Sequence, residues 1–292
     1  MNKEFNKGLL LAGFGSFWWG FFGVLYFKYI TYIGHIELVV HRCLWTTFTL
    51  IVTTFLFSKW HIFFKIIKNK KYLVYLFFSG FLIFINWAVW IYSIATNKII
   101  DASFGYFMMP ILSVLLGCIF FKEQLNKKRI FSIILVIISI LFLILVSFKS
   151  LPWVGLIVAF CWGFYNLIRK KINVDTDIGL LIESLFILPF ALVTFYMLTI
   201  NGHNDFKLSN PPLMLLIFLA GPMTVIPLFL YVRGVELCGL GPTGMIFYIT
   251  PTLQFLLGFF YYHEPFSISK LVSFIFIWIA VIIYLKDLYE TN

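Results

Sequence analysis

The chain predicts an all-α integral membrane protein of ten transmembrane helices, arranged as two inverted five-helix repeats. Three observations carry that expectation. Of 292 residues, 62% are hydrophobic, 21% aromatic and 12% charged, and the mean hydropathy is +0.98, far from the balance of a soluble domain. The apolar residues fall into successive blocks of about 20, each long enough as a helix to cross a hydrocarbon layer about 30 Å thick. A distinctive stretch of the first half recurs in the second. The blocks are continuous rather than alternating, which indicates helices whose backbone polar groups are satisfied internally, not barrel strands.

The spans are expected at 8–28, 35–57, 72–95, 101–121, 129–148, 151–169, 178–200, 212–232, 240–262 and 268–286. Span one follows Lys3 and Lys7, a pattern shared with secretion signals, but nine further spans argue for an uncleaved helix. It places Ala12, Ser16 and Gly20 four apart, a small-residue stripe that lets another helix approach closely. Span two opens with "IELVVHRCLW", which puts Glu37, His41 and Arg42 in its first two turns. Glu37 and His41 share a face, and Arg42 is turned about 100° from His41. Span three contributes Asn86, Trp87 and Trp90, and span four contributes Tyr106 and Pro110. Span five is almost wholly apolar. Span six repeats the stripe with Gly155, Ala159 and Gly163 and adds Asn166. Span seven holds Glu183 early in its length; Arg233 and Glu236 lie at the inner end of span eight as a solvated pair. Span nine carries Tyr248, Pro251 and Gln254.

Charge placement orients the chain. With the N-terminus inside, sixteen Lys and Arg residues fall on the inner side, five on the outer side, and Arg42 within a span. By the positive-inside rule both termini face the cytoplasm. The net charge of +10 therefore reflects orientation and contact with anionic lipid, not nucleic-acid binding. Cys43, Cys118, Cys161 and Cys238 show no metal-ligand spacing and read as small buried hydrophobes. Gly239, Gly241 and Gly244 satisfy G-x-G-x-x-G, but with no preceding strand the dinucleotide reading fails. No ATP-binding loop, zinc-protease or serine-hydrolase motif is present, and no cofactor is expected.

"PILSVLLGCIFFKEQL" from Pro110 reappears, shifted by 141, as "PTLQFLLGFFYYHEPF" from Pro251. Pro, Gly and Glu stay in register at 110/251, 117/258 and 123/264, and the aromatic pairs Tyr106-Phe107 and Phe247-Tyr248 align upstream. The two small-residue stripes match at an offset of 143, each ending in Trp-Gly. This divides the chain into residues 1–150 and 151–292. Five spans per half is an odd number, so the second half enters the membrane inverted. Inverted repeats are the architecture of many secondary transporters. Pro110 and Pro251 then read as matched kinks, or hinges, beside a cavity at the repeat interface. Glu37, His41, Arg42, Asn86, Tyr106, Asn166, Glu183, Tyr248 and Gln254 are the candidate substrate or coupling residues. His41 and the carboxylates suit proton coupling; structural ion pairing is the competing reading.

At this point the chain resembles the RarD family, a branch of the EamA-type permeases of the drug/metabolite transporter superfamily. The resemblance rests on "ELVVHRCLWT", "NWAVWIYSIA", "ASFGYFMMPILSVLLGCIFFKEQL", "LPWVGLIVAFCWGFYNLIRKK", "GLLIES", "GPMTVIPL" and "YITPTLQFLLG", nearly end to end. It implies a ten-helix permease of the bacterial cytoplasmic membrane for small organic metabolites or drugs, with chloramphenicol-related or amino-acid-like solutes as expectations. The chain departs from that resemblance at Met109 and Phe247, where relatives generally carry Asn and Gln. Two other classes stay open on residues alone: an intramembrane enzyme using Glu37, His41 and Arg42 on a lipid-linked substrate, and a non-transporting sensor or scaffold.

Overall fold

A computed structural model describes residues 3–96, 99–147, 153–172, 174–261 and 268–291, and every regular element among them is helical. Span one is α1 (Lys3–Trp18), a π-helical turn (Trp19–Gly23) and α2 (Val24–Tyr29). Span two is α3 (His35–Leu56), and span three is α5 (Lys70–Ala95). Between them lies α4 (Trp60–Ile67), a short amphipathic helix where the sequence suggested only a basic loop. Then come α6 (Ile99–Phe121), α7 (Lys127–Ser147), α8 (Trp153–Lys171) and α9 (Thr176–Ile200), close to spans four to seven.

Span eight is two helices, α10 (Pro211–Phe218) and α11 (Ala220–Cys238). Arg233 and Glu236 lie in the last turns of α11, which runs to Cys238. Span nine is broken into α12 (Leu240–Ile246) and α13 (Ile249–Phe260), and α14 (Ile268–Thr291) is span ten. Six helical stretches among the described residues are long and apolar enough to cross a membrane, and they coincide with spans one, two, three, five, seven and eight.

The two proline positions differ locally. The backbone of α6 is helical straight through position 110, whereas α12 and α13 are separated by Phe247 and Tyr248 just before Pro251. Pro251 occupies the first turn of α13, where a missing amide hydrogen costs no helical bond. The interruption of span nine at Phe247 and Tyr248 thus has no counterpart in the helical backbone of α6 at position 110. The side chain of Pro110, and Glu264 within 262–267, lie outside the described residues.

The halves interlock. Helix α1 packs on α11, and α8 packs on α5; α3 packs on α11, and α9 packs on α5. The π turn and α1 meet α13, and α8 meets α6; α3 faces α9, and α7 faces α14. Each contact has a mate in which the spans of the two halves exchange roles.

The small-residue stripes make these approaches. Gly20 backs onto Thr250 and Leu253 of α13, and Gly163 onto Leu112 of α6. A Cβ at Gly20 would lie 2.9 Å from Leu253 Cβ, and one at Gly163 would lie 2.6 Å from Leu112 Cδ2. Gly155 is backed by Gly105 across the α6–α8 contact. Ala12, Ser16 and Ala159 are all buried.

Candidate functional site

A narrow cavity lies between the halves, lined by Trp19, Gly23, Phe27, Arg42, Asn86, Trp87, Trp90, Tyr106, Trp162, Phe247, Thr250 and Gln254. Its aromatic wall with a few polar groups is that of a small-molecule site. The π turn of span one presents Trp19 and Gly23. Pairs related by the sequence repeat touch one another here. Trp19 and Trp162 meet edge to face with ring centres 5.0 Å apart, and Tyr106 and Phe247 are 5.7 Å apart. Just behind, Phe107 and Tyr248 are 6.3 Å apart.

Arg42 is the cavity's charged residue. It is 4% exposed, and its guanidinium carbon lies 4.7 Å from the ring centre of Phe27, 4.6 Å from Trp87 and 5.7 Å from Trp90. Its Nε donates to Thr224 Oγ1 at 3.0 Å, and among the described residues it meets no carboxylate. Desolvating a cation costs several kcal/mol even after relaxation. Each aromatic face returns about 0.5–2 kcal/mol. The site thus holds a positive charge that its own walls only partly compensate. Asn86 Nδ2 donates to the carbonyl of Val158 at 3.1 Å, and Thr250 Oγ1 donates to the carbonyl of Ser16 at 2.8 Å. These bonds tie cavity walls across the halves.

Of the nine candidate substrate or coupling residues, the structure gathers Arg42, Asn86, Tyr106 and Gln254 at the cavity. The others lie elsewhere. Glu37 and His41 approach at 3.4 Å, but Glu37 Oε1 also accepts from the backbone N–H of Asp205 at 2.6 Å. The His41 ring packs on Phe195 and Phe206. This pair fastens the loop after α9 and does not join Arg42, so the three do not form one acid–base cluster. Tyr248 is buried, with its hydroxyl donating to the carbonyl of Phe107 at 3.0 Å. Asn166 is fully buried, and both its amide atoms lack a partner among the described residues; we have no physical account of that arrangement.

Glu183 belongs to a second buried centre. Its Oε1 lies 3.5 Å from Arg169 Nη1 and accepts from Ser79 Oγ at 2.6 Å. The Tyr165 hydroxyl donates to its Oε2 at 3.2 Å. Arg169, wholly buried, also lies 3.6 Å from Glu236. Glu236 in turn accepts from Thr176 at 2.7 Å and pairs with Arg233 at 2.9 Å. Arg233 and Glu236 do pair, but Glu236 is drawn inward rather than solvated. Sequence reasoning missed Arg169, because the adjacent Lys170 and Lys171 make it look like part of a basic loop. One signal was available: Gly179, whose missing Cβ makes room for the Arg169 guanidinium. Trp162 stacks on Tyr165 with centres 5.6 Å apart, so one ring pair separates the cavity from this network.

The glycine motif has an anion after all, supplied by the chain itself. Gly239 adopts φ 91°, exposing the start of α12. Leu240 and Gly241 N–H groups donate to Glu123 Oε1 and Oε2, each at 3.0 Å. Lys122, with φ 55°, turns the chain so that Glu123 can reach.

Comparison with known proteins agrees with this architecture. The EamA-like transporter family matches residues 6–145 and again 150–286. Protein RarD of Escherichia coli is 33% identical over 99% of this chain and 97% of its own length. The uncharacterized transporter YojE of Bacillus subtilis is 33% identical over 97% and 95%. A chloramphenicol-sensitive protein RarD of Pseudomonas aeruginosa is 25% identical over 86% and 84%. A solved crystal structure shares the fold with a TM-score of 0.68 at 13% identity, covering 94% of this chain and 96% of the other. On the matched segments and these full-length likenesses, the chain belongs to the EamA-like transporter family and, within it, to the RarD-type permeases of the drug/metabolite transporter class.

Proposed function

We propose that the chain is a secondary transporter of small organic solutes that works by alternating access, with the aromatic cavity as its substrate site. The observation that carries this reading is the meeting of repeat-equivalent residues at the cavity: Trp19 with Trp162 and Tyr106 with Phe247. Residues related by a twofold axis touch each other only where they lie on it. The cavity therefore straddles the pseudo-twofold axis of two five-span units, residues 1–150 and 151–292. The exchanged helix contacts and the Gly20/Gly163 approaches support the same axis. An odd number of spans per unit makes the units inverted, and exchanging their conformations then exposes one cavity to either side.

In this reading the chain lies in the bacterial cytoplasmic membrane with both termini inside. The clasp of Glu123 on α12 and the Arg169 network lie toward the cytoplasmic end, and opening there requires the clasp to release. Glu183, one ring pair from the cavity, is the carboxylate placed to couple a proton to movement. The relatives' names support transport, and the chloramphenicol-sensitive relative makes neutral drugs one solute class to test.

The test is uptake and counterflow of a labelled metabolite pool in sealed vesicles reconstituted with the protein, with and without a proton gradient. Saturable flux that needs an intact compartment is expected. Chemical conversion of a solute in detergent, or binding with no flux of any pool component, would replace transport with an enzymatic or sensing role.

A further inference from the structure

We infer that the cavity selects small organic anions, in particular monocarboxylates with a flat aromatic body, over neutral, zwitterionic and cationic analogues of the same shape. This rests on the cavity being the substrate site and goes further by naming what it takes. Arg42 is buried, lines the cavity, and spends only its Nε on Thr224 among the described residues. Its two terminal nitrogens are neither hydrogen-bonded to a described residue nor sealed off as buried, unsatisfied atoms. A guanidinium with both terminal nitrogens free presents the fork that matches a carboxylate through two parallel bonds. Phe27, Trp87 and Trp90 hold the cation from its sides and leave it underneutralised in a site of low polarity, where a ligand's charge counts most.

The remaining wall describes the rest of the ligand. Trp19, Trp162, Tyr106 and Phe247 offer ring faces and edges suited to a flat apolar body. Asn86 has committed one amide hydrogen to Val158, and Thr250 its hydroxyl to Ser16. The Asn86 carbonyl oxygen and the Gln254 amide remain for one neutral polar substituent. No acidic side chain is among the lining residues. Glu37 and Glu183 are held at separate centres. An ammonium group would find no counter-ion here and would sit in the field of Arg42, which disfavours amino acids and amines.

The experiment is equilibrium titration of the purified full chain in detergent, read by quenching of intrinsic tryptophan fluorescence, since four tryptophans line the cavity. The probes are 3-phenylpropionate, 3-phenylpropionamide, phenylalanine and 3-phenylpropylamine, which share one ring and differ in charge. The carboxylate is expected to bind at least about tenfold tighter than the amide, with the zwitterion and amine weaker still. Arg42→Gln should abolish the preference, and Arg42→Lys should retain part of it. Equal or tighter binding of the amide or amine to the unaltered protein overturns the inference, as does no measurable carboxylate binding at millimolar concentration. The charge series on the unaltered protein decides the matter even if the Arg42 variants fail to fold. Because no compartment is involved, anion preference without vesicle flux would refute transport and leave this inference standing. Flux of amines with no anion preference would do the reverse.

Discussion

Arg42 and Arg169 are both buried cations, yet the fold treats them in opposite ways. Arg169 sits between two carboxylates, Glu183 and Glu236; Arg42 sits among ring faces with one hydroxyl. Removing one partner of a buried ion pair costs on the order of 3–5 kcal/mol. Glu183→Gln is expected at the low end, about 3 kcal/mol, because Glu236 still faces Arg169, and it should leave the ligand preference of the cavity unchanged. Thermal unfolding in detergent and the fluorescence titration check the two halves of that statement. Glu37→Ala should instead loosen the loop after α9 by removing the acceptor of the Asp205 N–H, seen as faster protease cutting within 201–210 with unchanged ligand affinity. In the last turns of α14, past the expected end of span ten at residue 286, burial pushes the Asp287 carboxyl up, but hydrogen bonds from Asn126 and Arg129 and the charges of Arg129 and Lys128 outweigh that and hold it below the usual range. Its contribution to stability is therefore present above an unfolded-state value of about 3.9 and disappears as pH falls through the lower folded-state value. Asp287→Asn should lower the unfolding temperature at pH 7 and show a smaller further loss on acidification than the unaltered protein. The sequence singled out Glu37, Arg42 and Glu183 because charges in apolar blocks are costly. It did not show which charge meets which, since partners come from spans distant along the chain.

Among the elements, span nine departs furthest from the sequence expectation. A break was legible in Pro251, but the proline itself sits in the first turn of α13, and the interruption falls on Phe247 and Tyr248. The glycines at 239 and 241 look like a nucleotide signature and instead let a carboxylate from after α6 settle on the start of α12. Helix N-termini favour negative charge, and a lost cap costs about 0.5–2 kcal/mol. Glu123→Ala is expected to destabilise the protein within that range and to change the rate of solute release more than affinity. Stopped-flow fluorescence on ligand-loaded protein, compared with equilibrium titration, separates the two effects. An unaltered release rate would show that the clasp stays closed throughout the cycle. Span eight similarly yields α10 and α11 at Leu219–Ala220, a division marked in the sequence by Gly221-Pro222 in the first turn of α11.

Across the whole molecule, the contacts between halves occur in exchanged pairs, and residues 19, 106 and 107 meet their own repeat partners at 162, 247 and 248. Single cysteines at Lys122→Cys and His263→Cys should accordingly be labelled from opposite sides of the membrane by an impermeant maleimide; labelling from the same side would end the inverted-repeat account. Hydropathy alone determined that the chain crosses the membrane as helices, because unpaired backbone groups are intolerable in hydrocarbon and only block length is needed to see it. The repeat, with Pro, Gly and Glu in register, predicts two corresponding halves. Which polar residues line one cavity, that Arg42 stands apart from Glu37 and His41, and that Arg169 is buried were decided only in three dimensions. Helix rotation and cross-half packing set which face of each span meets the axis, and neither is encoded in the composition or spacing of any single span.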